Sequence, residues 1–204
     1  MPKLTSWMTA ALAAVSVLTT VAWAQQAPPV RIRGTIEAVD GPTLSIKTRE
    51  GTDVKVKMTD NVAVFAVVKT ELSQIKEGSY IGVSAMPQPD GTQKAFAVHI
   101  FPENQRGAAE GFRPWDARAN STMTNATVAQ TVKGTDGQNI LLKYKDGEKK
   151  IVVTPSVPIV RYEIADLGAI KPGAPFSVIA AVKQADGSFD VNRINVGRDG
   201  ASPP

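Results

Sequence analysis

Two segments of the chain share one pattern of turns and alternation, and that pattern limits the fold more than anything else in the sequence. "VDGPTLSIKTREGTDVKVKMTD", from Val39, aligns with "GTDGQNILLKYKDGEKKIVVTP", from Gly134. Leu44 meets Ile140, Lys47 meets Lys143 and Gly51 meets Gly147, at an offset of 96 residues. Further on, "LSQIKEGSYIGVSAMPQPDG" aligns with "LGAIKPGAPFSVIAAVKQADG", where Leu72 meets Leu167, Ile75 meets Ile170 and Gly78 meets Gly173 at an offset of 95. An ordered run of matches at a nearly constant offset reads as an internal repeat.

Each copy reads as short strands. Ile32, Gly34, Ile36 and Ala38 alternate with Arg33, Thr35 and Glu37. Leu44 and Ile46 face away from Ser45 and Lys47, and Val54, Val56 and Met58 alternate with Lys55 and Lys57. Period-two alternation broken by Gly turns predicts half-buried antiparallel strands. Leu72 and Ile75 then predict a short helical crossover stopped at Gly78. A fourth strand is expected from Tyr80 to Met86, and a fifth with Phe96, Val98 and Ile100 on one face. The second copy repeats this with Ile140 and Leu142, Ile151 and Val153, then Phe176, Val178 and Ala180, then Ile194 and Val196. The expected fold is all-β: two tandem small OB-like five-stranded β-barrel units, each with a short helical crossover. The alternative is one larger sandwich sharing strands between the halves. The expected boundaries are 30–101 for the first unit, 102–125 for an ordered connector and 126–197 for the second unit. Short tails fall at 25–29 and 198–204.

Residues 1–24 read as a signal peptide. Lys3 is followed by an apolar stretch that closes on Ala22-Trp23-Ala24, a small-x-small cleavage pattern. Cleavage after Ala24 predicts a periplasmic or secreted protein beginning at Gln25. No later stretch approaches the roughly 20 apolar residues of a spanning helix. The chain has no Cys, so neither disulfides nor thiol chemistry are open to it. Its formal net charge is +4, or +3 without Lys3. The basic residues are spread along strands rather than massed, which argues against a nucleic-acid partner.

The pattern "RGTIEAVDGPTLSIKTREGTDVKVKMTD…LSQIKEGSYIGVSAM…DGT…AVHIF" resembles a family of bacterial exported domains of unknown function. The resemblance covers most of 30–101 and, more weakly, 126–196. The connector "FPENQRGAAEGFRPWD…STMTNATV" is similar to a subgroup with a "RGxGEGHxPWD…STMTN" pattern, whose members are sometimes labelled metal-transporter components. This chain departs from that pattern at Phe112, where the subgroup often has His. The resemblance implies export and a fold, and little about function.

The stretch 102–125 has no counterpart in the repeat, and long connectors inside compact proteins are commonly functional. Phe112, Trp115 and Met123 are costly to leave in water, so the connector is expected to be ordered. One reading makes it a clasp, with Trp115 as its plug and Arg106, Glu110, Arg113 and Asp116 as its rim. Another makes it a ligand site. His99 alternates away from the core face of its strand, and with Glu103, Asp116 and Met123 it offers donors for a divalent metal or copper. A Ser121–His99–Asp116 set lacks any positioning motif, and no enzyme activity is expected. The functional expectation is a non-enzymatic binding or scaffold protein of the cell envelope, with an envelope protein or a glycan as partner. The alternatives are a periplasmic metal-binding accessory protein and an oligosaccharide-binding module.

Overall fold

The computed structural model describes residues 29–134 and 137–203; residues 1–24, read above as a signal peptide, lie outside the described residues. Twelve strands follow in order: β1 (Val30–Asp40), β2 (Thr43–Thr48), β3 (Asp53–Thr70), β4 (Tyr80–Pro87), β5 (Gln93–Ile100), β6 (Gly111–Trp115), β7 (Ser121–Gly134), β8 (Gly137–Tyr144), β9 (Gly147–Val153), β10 (Ile159–Ala165), β11 (Pro175–Lys183) and β12 (Phe189–Gly197). The fold is all-β. No helix among the described residues is long and apolar enough to cross a membrane.

Hydrogen bonding runs β12-β11-β1-β2-β3, and a parallel β12–β3 pairing closes these five strands into a barrel. A second run, β5-β4-β7-β8-β9, is joined at its ends by a short parallel pairing, Gln93 with Ile151 and Lys94 with Val152. Both runs mix strands from the two halves of the chain. The expected tandem arrangement, in which 30–101 and 126–197 each close on themselves, is therefore not what the strands form. β1 to β3 are completed by β11 and β12, and β7 to β9 by β4 and β5.

The physical reason lies in β3 and in the segment that forms β9 and β10. At about 3.3 Å per residue, the 18 residues of β3 run about 60 Å, far more than one small barrel needs. Its first part pairs with β2, and its last seven residues pair with β10. The chain therefore turns back beside the second ring and enters it as β4. In the other half Pro155 and Pro158 lack the N–H that a continuous ladder needs, and the strand is cut into β9 and β10.

Two apolar cores follow from this exchange. One holds Ile32, Ile36, Leu44, Ile46 and Val56 with Phe176, Val178, Val191 and Ile194. The other holds Ile81, Val83 and Val98 with Ala126, Val128, Ile140, Leu142, Ile151 and Val153. A smaller cluster of Phe65, Val67, Val160, Tyr162 and Ala201 sits where β3 and β10 run together. Ala201 brings the C-terminal tail into this cluster, and Arg49 donates a hydrogen bond to the Pro203 carbonyl at 3.2 Å.

Other expectations change in detail. The crossovers are single 3-10 turns of three residues, Leu72–Gln74 and Leu167–Ala169. Segments this short do not repay helix nucleation. Gly78 and Gly173 follow them, each at φ 82°, a conformation that glycine adopts without steric cost. Phe96 does not share the core face of β5. It is the extra residue of a β-bulge between the Ser84–Ala97 and Ala85–Ala95 pairs, so Ala95 and Val98 point inward instead. A second bulge, in β11, puts Ala181 rather than Ala180 in the core. A bulge adds one residue to one strand and reverses the faces beyond it.

Candidate functional site

The expected connector is a folded element. A 3-10 turn at Glu103–Gln105 leads into β6, which pairs antiparallel with the start of β7, Gly111 opposite Asn125 and Trp115 opposite Ser121. β7 thus begins at Ser121, inside the stretch 102–125. β4 pairs with β7 on its other side. Flanked by two strands, all of Ser121 to Ala126 is buried.

His99 lies opposite Gly82, which in turn lies opposite Asn125. The missing side chain at Gly82 makes the room: a Cβ there would stand 2.0 Å from His99 Nε2 and 2.8 Å from Asn125 Oδ1. The imidazole meets Phe101 edge-on at 4.7 Å between ring centres and Tyr162 at 5.3 Å. Burial, together with the charges of Arg193 and Arg113, pushes the His99 pKa down to about 3, so the ring is neutral at physiological pH.

This packing makes a direct prediction. Gly82→Ala should destabilise the fold by about 1–3 kcal/mol, as overpacking does, because the methyl group takes the space of the imidazole. In urea unfolding, Gly82→Ala combined with His99→Ala should lose less stability than the two single losses added. Strict additivity would mean that the two side chains do not share that space.

Trp115 closes the end of β6 and is 9% exposed. The Arg31 guanidinium lies 4.3 Å from its ring centre, with those of Arg33 and Arg113 at 5.4 and 5.9 Å. Asp116 accepts hydrogen bonds from Arg33 Nη2 at 3.0 Å and Arg31 Nη1 at 3.4 Å. Burial opposes the charge of Asp116, but the Arg33 hydrogen bond and the two guanidinium charges outweigh it and hold its pKa below the usual range. Residues of the connector thereby grip β1, which belongs to the other strand ring. Arg106 ties a different end of the connector, donating from Nε to Glu103 Oε1 at 2.6 Å and from Nη2 to the Gly78 carbonyl at 2.9 Å. Glu110 accepts from the Lys145 backbone N–H at 2.9 Å, and Arg113 donates to the Ala109 carbonyl at 2.8 Å.

Between these groups lies a cavity of about 80 Å³. His99, Trp115, Met123, Asn125, Tyr162 and Arg193 form much of its wall. Arg193 comes from β12 and lies over two rings, 4.4 Å from the centre of Phe65 and 5.7 Å from that of Tyr162. It donates to Gln105 Oε1 at 3.0 Å and Asn195 Oδ1 at 3.4 Å. Three buried atoms of the wall residues, His99 Nδ1, Trp115 Nε1 and Asn125 Oδ1, have no hydrogen-bond partner. Buried polar atoms are almost always paired, so three orphans in one wall mark this place out.

The four residues proposed for a metal do not converge. His99 and Met123 line the cavity, whereas Glu103 is bonded to Arg106 and Asp116 to Arg31 and Arg33. Among the described residues no three His, Cys, Asp or Glu side chains come together as a metal site would need. Arg31, Arg33, Arg113 and Arg193 also line the cavity, and their charge opposes a cation there. The Ser121–His99–Asp116 set is not assembled either. Ser121 Oγ is committed to the turn before β7, at 2.8 Å from the Arg118 carbonyl and 3.1 Å from that of Trp115.

Arg31, Arg33, Tyr162, Arg193 and Asn195 were not among the sequence candidates. Only Arg31 and Arg33 left a trace, as alternate residues on one face of a strand whose other face carries Ile32 and Ile36.

No protein-family model, curated protein or solved structure matches this chain. Its site is therefore read from its own geometry.

Proposed function

We propose that the chain is an exported, non-enzymatic binding protein of the cell envelope, and that the cavity between His99, Trp115 and Arg193 takes its ligand. The proposal includes the OB-like character of the five-strand units, the internal repeat and the kinship with exported domains that "GSYIGV" and "PWD…STMTN" suggest. Export rests on the sequence of residues 1–24. One observation carries the choice of site: His99 Nδ1, Trp115 Nε1 and Asn125 Oδ1 are buried and unpartnered in the wall of a single cavity. Leaving such atoms unmade costs about 1–3 kcal/mol each, and they cluster on three of the residues that line this one cavity. The non-enzymatic reading is supported by the engagement of Ser121 and Asp116 in structural hydrogen bonds.

The test is a thermal-shift panel of neutral sugars, cations, amino acids and small anions. A ligand at one hundred times its Kd stabilises by about 2.7 kcal/mol, which for a chain of this size raises Tm by about 5–10 °C. One chemical class should do this for the wild type and not for Ile179→Trp, which fills the cavity's exposed rim. A panel without any shift, or a shift that Ile179→Trp leaves intact, removes the cavity as the ligand site.

A further inference from the structure

We infer that the group this cavity accepts is a small oxyanion, a phosphate, sulfate or carboxylate, held by Arg193 and Arg113 with the Trp115 indole N–H. The inference rests on the cavity being a ligand site and adds the chemistry of the ligand.

Charge is the first argument. Four guanidinium groups line the cavity and only Asp116 stands against them, bonded to Arg31 and Arg33. Among the described residues Arg113 and Arg193 have no carboxylate partner. Their hydrogen bonds go to the Ala109 carbonyl, Gln105 Oε1 and Asn195 Oδ1, all neutral. Both side chains are partly buried, and charges withdrawn from water are ordinarily paired. Burial pushes the pKa of both arginines downward.

Geometry is the second. Arg193 and Arg31 lie over aromatic rings. A guanidinium carries five N–H donors in the fork that matches oxyanions. Trp115 Nε1 can only donate, and it has no acceptor. The guanidinium and indole N–H groups make donors the majority in this wall, with Asn125 Oδ1 as its one unpaired carbonyl acceptor.

Size is the third. About 80 Å³ is far below the roughly 300–1,000 Å³ of sites that enclose a drug-sized molecule. The cavity suits one small group, either a free anion or the charged end of a larger ligand at the mouth.

Titration calorimetry of the full chain at fixed ionic strength tests this, with inorganic phosphate, sulfate and acetate as probes and glycerol as the neutral comparison. At least one oxyanion should bind saturably, and comparing the three assigns tetrahedral or carboxylate preference. Arg193→Met should weaken that binding at least ten-fold, and Lys150→Met, on an exposed part of β9, should leave it unchanged. If circular dichroism shows that Arg193→Met has lost its fold, Arg113→Met decides, with the same loss expected. Equal losses in Lys150→Met and the arginine variants would mean diffuse surface charge and overturn the inference. So would binding confined to neutral or cationic members of the thermal-shift panel, which leaves the cavity as a ligand site but refutes its chemistry. No binding by any probe overturns both.

Discussion

Trp115→Ala is expected to cost about 3–5 kcal/mol, the range for truncating a buried aromatic side chain. The whole fold of a chain this size is worth only about 5–15 kcal/mol. Tm should fall by about 6–20 °C at the usual 2–4 °C per kcal/mol. The loss is large because the indole is shared by two strands and the cavity: it ends β6, carries Arg31 and Arg33 of β1 on its ring, and lines the cavity. Asp116→Asn makes the contrast. Its carboxylate is 47% exposed, and exposed ion pairs contribute about 0–1 kcal/mol. Calorimetric scans of both variants separate the two contributions. A Trp115→Ala protein that melts with the wild type would show that the indole holds nothing together.

The second large effect concerns acid. The unfolded His99 side chain has an ordinary pKa of 6.5, whereas burial first, then Arg193 and Arg113, lower the folded value to about 3. Above pH 6.5 the imidazole is neutral in both states and its contribution to stability is fully present. As pH falls from 6.5 towards 3, the unfolded chain takes up a proton that the folded chain refuses. Stability then drops by up to about 1.4 kcal/mol per pH unit. Below about pH 3 the folded protein protonates as well, and the loss from this group stops. Asp116 and Glu163 have pKa values held below the usual range by their arginine partners against the opposing effect of burial, and they add losses of the same sign only below about pH 4.5. The interval from pH 6.5 to 5 therefore isolates His99. Urea unfolding should show wild-type stability falling across it and His99→Gln nearly flat. Parallel curves would mean that the imidazole is not shielded from protons.

Much of the strand pattern was legible in advance. Alternation located β1 to β5, β8, β9, β11 and β12 because one face of each strand meets a core and the other does not; β10 was not foreseen. Trp115 stood out as a costly residue among small and charged ones, and His99 by falling off the core face of β5. What escaped was set by contacts distant in sequence. Nothing local distinguishes β4 closing on β1 to β3 from β4 closing on β7 to β9, since the same apolar face serves either ring. The bulge at Phe96 breaks alternation where the sequence still shows it. Arg193 lies in a strand read only for Ile194 and Val196, and it became a cavity residue because exchange carries β12 to the first barrel, where the side chain meets Phe65 of β3 and Tyr162 of β10. The arginine-lined cavity is thus a product of the exchange rather than of either half.

The exchange also sets the order in which the molecule can be made. β1, β2 and β3 are synthesised before β11 and β12, yet their barrel closes only when those two strands arrive. Until then their outer edges stand open to any passing strand, and the contacts that end this exposure span most of the polypeptide, the kind that form slowly. The early strands wait on β11 and β12, so a nascent chain of this design depends on being kept unpaired until those two strands are free.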